Sequence, residues 1–82
     1  MSKEKILEEI SEIAQEVFED DELELTEATV AEDVDNWDSL THLMFISEIE
    51  KKYQFKFLMG EIQGFANVGE LVATIEKHIA NK

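Results

Sequence analysis

With 82 residues the chain can build one domain around one small core, and without cysteine it has neither disulfide staples nor a thiolate metal site. Twenty acidic against seven basic residues leave a net charge of −13. That sign opposes direct contact with nucleic-acid phosphates or an anionic bilayer and makes a basic protein surface the expected partner. The imbalance is local, since residues 1–40 hold fifteen acids and two lysines while residues 41–82 hold five of each. Strong like charge favours a monomer and predicts a fold sensitive to salt. The first residues lead straight into an amphipathic pattern. There is no apolar stretch of signal-peptide type and no run of about eighteen apolar residues, so the cytoplasm is the expected location.

In chain order, the first predicted helix carries Ile6, Ile10, Ile13, Ala14, Val17 and Phe18 at helical spacing with Leu7 alongside. Glu8, Glu9, Glu12 and Glu16 take the other side. Ser2 is its expected N-cap. The like-charge run Glu19-Asp20-Asp21-Glu22 disfavours continuation. Residues 19–38 then read as a long acidic connection in which Leu23, Leu25, Val30 and Val34 are anchors onto a core and Thr26 caps a short turn. A connection of this length inside a small domain is uncommon and is usually functional.

A second helix is predicted to start at Asp38, whose carboxylate can accept from the backbone N–H of Leu40 or Thr41 and so places Ser39 at the first helical position. Leu40, Leu43, Phe45, Ile46, Ile49 and Tyr53 follow, with Met44 between them, a broader apolar arc than one core stripe requires. Residues 53–57 alternate like a strand, but nothing else in the chain can pair with them, so they read as extended loop. Residues 58–65 form a short third helix weakened by Gly60 and Gly64. The last helix is announced by Asn67 as cap with Glu70 at the reciprocal capping-box position. Val68, Leu71, Val72, Ile75 and Ile79 make one face, and Lys77 and Lys82 suit the C-terminal end of the dipole. The expected fold is all-α, a small four-helix bundle of three main helices and one short one, with the long acidic loop between the first and second.

Ser39 is the candidate nucleophile set apart by placement, for it ends a flexible loop and opens a helix, where its hydroxyl should be exposed. A phosphate attached there would meet the free N–H groups and positive dipole end of the helix. Asp38 opposes this with its own charge, which favours outward presentation of the attached group. A self-acting relay of Ser39, Asp38 and His42 fails on geometry, because neighbours on one helical turn cannot line up acid, histidine and serine. Asp33, Asp35 and Asp38 do not make an EF-hand, since Asp38 stands where the loop needs glycine and Met44 where it needs glutamate.

Around Asp38-Ser39-Leu40 the sequence resembles the acyl and peptidyl carrier protein family. Leu25-Thr26 followed by Val30 is similar to the loop ahead of that family's serine. Ile49-Glu50-Lys51-Lys52-Tyr53 is similar to the end of its second helix, and Asn67-Val68 leading to Leu71 and Ile75 to the start of its last. The resemblance spans residues 5–80 and implies one carrier domain over residues 1–82. It implies that Ser39 is the attachment site for 4′-phosphopantetheine, transferred from coenzyme A by a separate phosphopantetheinyl transferase, with Asp38 helping to present it. The chain would then carry acyl or aminoacyl groups as thioesters and catalyse nothing itself, and a lone short chain fits a discrete carrier. The arm would supply the sulfur that the chain lacks. Leu40, Leu43, Met44, Glu48 and Glu50 occupy positions matching partner-recognition residues, for loading and transferring enzymes with basic docking surfaces. Leu43 reads equally well as core.

Three departures from the family pattern bear on those partners. Trp37 stands where many carriers have glycine, as a loop anchor or a partner contact beside the arm. Met44 replaces a common glutamate, and Lys51 and Lys52 replace frequent acids. Fatty acyl, polyketide and aminoacyl carriers share the motif, so the resemblance leaves the cargo open. The competing expectation is an acidic helical adaptor or inhibitor that binds a basic surface without any prosthetic group.

Overall fold

Four α-helices and one 3-10 turn follow one another in a computed structural model that describes residues 2–63 and 65–80; Gly64 and Lys82, given roles in the sequence reading, lie outside the described residues. Helix α1 spans Lys3–Val17, a 3-10 turn Ala31–Asp33, α2 Ser39–Tyr53, α3 Met59–Gln63 and α4 Val68–Ala80, with no strand among the described residues. The all-helical architecture with one short member is the expected one.

Local chemistry explains where the helices begin. The Ser2 hydroxyl accepts from the Lys5 N–H at 3.1 Å, satisfying one first-turn donor that has no partner inside the helix. At α4 the Asn67 side-chain oxygen accepts from the Glu70 N–H at 3.0 Å. The return half of the box differs from expectation, because the Glu70 carboxylate accepts from Ala66 N–H at 2.8 Å, one residue before the cap. Helix α2 stops at Gln54, which turns left-handed with φ 58°, and residues 54–58 run on as loop.

Packing follows the apolar stripes. Ile6, Ile10 and Ala14 of α1, Phe45 and Ile49 of α2, and Val72 and Ile75 of α4 are fully buried, and α1 packs against both α2 and α4. Two polar residues of α1 join this core, contrary to the simple two-faced reading of that helix. The buried Ser11 hydroxyl accepts from Leu25 N–H at 3.0 Å, and half-buried Glu9 accepts from the Tyr53 hydroxyl at 2.6 Å. Burial and the Glu9 charge push the Tyr53 phenol well above its usual range.

The long acidic connection is folded onto the bundle. Leu25 and Val34 are buried, and Leu23 and Val30 half-buried. Its short turn is braced in the direction opposite to expectation, with the Thr29 hydroxyl accepting from Thr26 N–H at 2.9 Å. The loop then docks on the last helix, where Thr29 and Glu27 carbonyls accept from Val68 and Gly69 N–H, each at 2.8 Å. A Cβ at Gly69 would sit 3.0 Å from the Glu27 carbonyl oxygen, so a side chain there would crowd this close approach of loop to helix. The radius of gyration, 11.6 Å, matches the roughly 12 Å of a packed chain this long.

Helix α3 is tied to α4 by a hydrogen bond between Glu61 and His78. The Glu61 carboxylate accepts from Leu58 N–H at 2.9 Å and from His78 Nε2 at 2.8 Å, while the His78 ring stacks on Phe55 at 4.6 Å and 7°. The His78 hydrogen bond above all, then the Leu58 N–H, holds the Glu61 carboxyl below the usual glutamate range. A carboxyl depressed in the folded state stabilises the protein fully above its ordinary value of 4.5 and loses that contribution as pH falls through the folded value. The Glu61→Gln variant is therefore expected to melt below the wild type at neutral pH, with the gap closing as the buffer is taken below that value. Thermal melts of the pair across about pH 3 to 7, a window that brackets the ordinary carboxyl value, check this; a gap that stays constant with pH counts against the Glu61–His78 bond.

Candidate functional site

The segment leading into α2 is built as a small hydrogen-bonded frame. Asn36 adopts a left-handed conformation with φ 70°, and its side-chain amide donates to the Phe18 carbonyl at 3.0 Å, which pins the loop end to the end of α1. The Asn36 carbonyl in turn accepts from the Thr41 hydroxyl at 2.6 Å. That hydroxyl also accepts from Asp38 N–H at 2.9 Å. The Asp38 carboxylate accepts from both Leu40 and Thr41 N–H at 3.0 Å, which completes a reciprocal cap. Thr41 N–H first, aided by the Thr41 hydroxyl and Leu40 N–H, holds the exposed Asp38 carboxyl below the usual aspartate range. Asp38 is thus a fixed anion.

Ser39 sits as expected at the first position of α2, exposed, with no hydrogen bond from its hydroxyl to any described residue. Two first-turn N–H groups of this helix, those of Leu40 and Thr41, are already taken by Asp38.

His42 occupies a different place from the partly exposed one a lone helix implies. Half-buried, it receives the Trp37 indole N–H on Nδ1 at 3.0 Å, and its Nε2 lies 2.9 Å from the Ile62 carbonyl oxygen. Both ring nitrogens are spent on the fold, and neither they nor the Asp38 carboxylate is directed to Ser39. Trp37 stacks on Phe18 at 4.8 Å and 25° and meets Phe45 edge-on at 5.6 Å, so it anchors the loop. The bar Trp37–His42–Ile62 therefore links the loop, α2 and α3 directly behind the serine.

The surplus apolar arc of α2 faces outward. Leu40, Leu43 and Met44 expose 69%, 56% and 48% of their surface, which places Leu43 outside the core. With Glu16, Val17 and Glu48 they line a shallow groove of about 480 Å³ on the α1 side of α2. A second groove of about 570 Å³ runs on the α3 side, past Ser39, Leu43, Ile62 and Phe65. Leu43 is the ridge between the two. Glu48 is exposed and, among the described residues, pairs with Lys51 at 3.6 Å, a surface pair of little energetic worth. Glu50 is engaged within the molecule, its carboxylate accepting from Phe57 N–H at 2.8 Å. Sequence reasoning missed Asn36, Thr41 and the inward role of His42. Thr41 alone left a local signal, standing three residues after Asp38 where a reciprocal cap is made.

Among the described residues no group of three or more His, Asp or Glu side chains could hold a metal ion, and no helix is long and apolar enough to cross a membrane. No protein-family model and no curated protein matches the chain. A solved structure does match. It is the solution NMR structure of a holo acyl carrier protein from Geobacter metallireducens, 41% identical, with a TM-score of 0.85 over 92% of this chain and 86% of that one. At that identity, with helices and caps falling where the motif around Ser39 requires, the chain belongs to the acyl carrier protein family.

Proposed function

We propose that this protein carries acyl or aminoacyl intermediates as thioesters on 4′-phosphopantetheine joined to Ser39, and hands them to partner enzymes. The carrying observation is the free, exposed Ser39 hydroxyl at the mouth of α2 beside a carboxylate whose Oδ1 already accepts from two backbone donors. The site fits a phosphodiester-linked arm, since nothing covers the oxygen and the fixed Asp38 anion keeps the added phosphate off the helix. When attached, the arm supplies the thiol on which cargo is held, in a chain that has no cysteine. The relative's description as a holo protein supports the same assignment.

The chain's own residues hold the attachment point and offer a docking face. Asp38 and Thr41 fix the first turn, so a modifying transferase meets Ser39 in one geometry. Leu40, Leu43 and Met44 supply an apolar contact rimmed by Glu16 and Glu48, which suits partner enzymes that present an apolar patch flanked by cations. Acidic residues of α1 and the loop add long-range attraction to such surfaces.

Incubation with coenzyme A and a broad-range phosphopantetheinyl transferase is expected to add one phosphopantetheine mass to the wild type and none to Ser39→Ala, read by intact mass spectrometry. An unchanged wild-type mass, or a gain that persists in the variant, removes the proposal.

A further inference from the structure

The groove beside Ser39 runs over a seam between α2 and α3, and the seam is closed by the side chain of His42. An indole N–H can only donate, so Nδ1 of His42 is the acceptor of the 3.0 Å bond from Trp37, and Nε2 carries the proton that goes to the Ile62 carbonyl at 2.9 Å. The imidazole lies nearly parallel to the indole, at 6.0 Å and 23°, so the two rings form a flat wall. The recess behind that wall, reaching Val68 and Leu71, measures about 60 Å³. An apolar cavity that takes up benzene is roughly 150 Å³.

We infer that cargo on this carrier is short or polar and stays in the open groove, because the Trp37–His42–Ile62 bar shuts the α2–α3 seam against a long alkyl chain. The inference rests on the carrier reading and names the class of group carried. A chain of eight carbons could enter only by displacing the His42 ring. That would take from the part-buried Trp37 N–H and Ile62 carbonyl the partner that joins them, a cost the incoming methylenes cannot repay by hydrogen bonding. The groove imposes no such cost on a polar group. Asp38, Ser39 and Gln63 line it beside the apolar walls, so a hydroxyl, amino or amide function on a short cargo keeps its contact with water.

The test loads the whole protein with acetyl- and octanoyl-phosphopantetheine from the corresponding coenzyme A thioesters, with occupancy verified by intact mass. The two wild-type forms are expected to melt at the same temperature and to show the same amide chemical shifts at Phe45, Leu71 and Val72. In His42→Ala the octanoyl form is expected to melt several degrees above its acetyl form, with those core shifts displaced. His42→Gln, whose amide can span the same two partners, is expected to behave as the wild type. An octanoyl wild type that melts higher than the acetyl form and shifts its core amides overturns the inference while leaving the carrier reading intact. Equal behaviour of the two cargoes in His42→Ala overturns the assignment of the closure to this bar. Failure of the wild type to load at all sinks the carrier reading and the inference with it.

Discussion

Replacing Phe18 with alanine is expected to remove about 3–5 kcal/mol of folding free energy, the cost of emptying a large aromatic site in a packed interior. Small domains have roughly 5–15 kcal/mol in all, so the loss is a large fraction of the total. Phe18 is fully buried. It stacks on Trp37 at 4.8 Å and leans on Phe45 at 5.4 Å, so its loss opens a void between α1, α2 and the loop at once. Trp37 is the sole tryptophan and touches the lost ring, which makes its emission a direct reporter. Urea titrations followed by that emission should show a much lower midpoint and a red-shifted native baseline. A midpoint within about 1 kcal/mol of the wild type, as a well-tolerated surface change would give, would mean that the aromatic stack is not part of the core.

The Asn36→Ala variant is expected to lose about 2 kcal/mol, from two separable causes. A left-handed backbone at φ 70° disfavours alanine by roughly 1 kcal/mol, and the lost bond to the Phe18 carbonyl removes about 1 kcal/mol more. Asn36→Gly relaxes the backbone cause and keeps the other, so it should fall between wild type and Asn36→Ala in the same titration. Because the Asn36 carbonyl holds Thr41, which holds Asp38, both variants should also slow transfer of phosphopantetheine to Ser39, the alanine variant more. Equal stability of the two variants would show that the left-handed turn is not enforced.

What could be read from the sequence was local in nature. Ser2, Asp38 and Asn67 announce helix starts because an N-cap bonds to donors two or three residues away, and the position of Ser39 followed from Asp38. The outward arc of Leu40, Leu43 and Met44 was visible as an excess over what one core stripe needs. The pairings that set the inside of the site were not visible, because they join residues far apart in the chain. His42 reaches Ile62, Tyr53 reaches Glu9 and Ser11 reaches Leu25 only once the helices have packed. Glu50 carried a sequence signature of recognition, yet its carboxylate meets Phe57 N–H because α2 ends one turn later and the chain doubles back. Spacing alone cannot report where a returning backbone will place a donor.

The docking of Thr29 and Glu27 on the start of α4 has a consequence for how the molecule comes apart. First-turn amides of a helix ordinarily fray independently of anything distant. Here two of them are held by carbonyls some forty residues upstream, so the acidic segment cannot peel away without releasing the last helix at its root. The segment that ends at the serine and the C-terminal helix thus belong to one cooperative unit, and Ser39 inherits its steadiness from the far end of the chain.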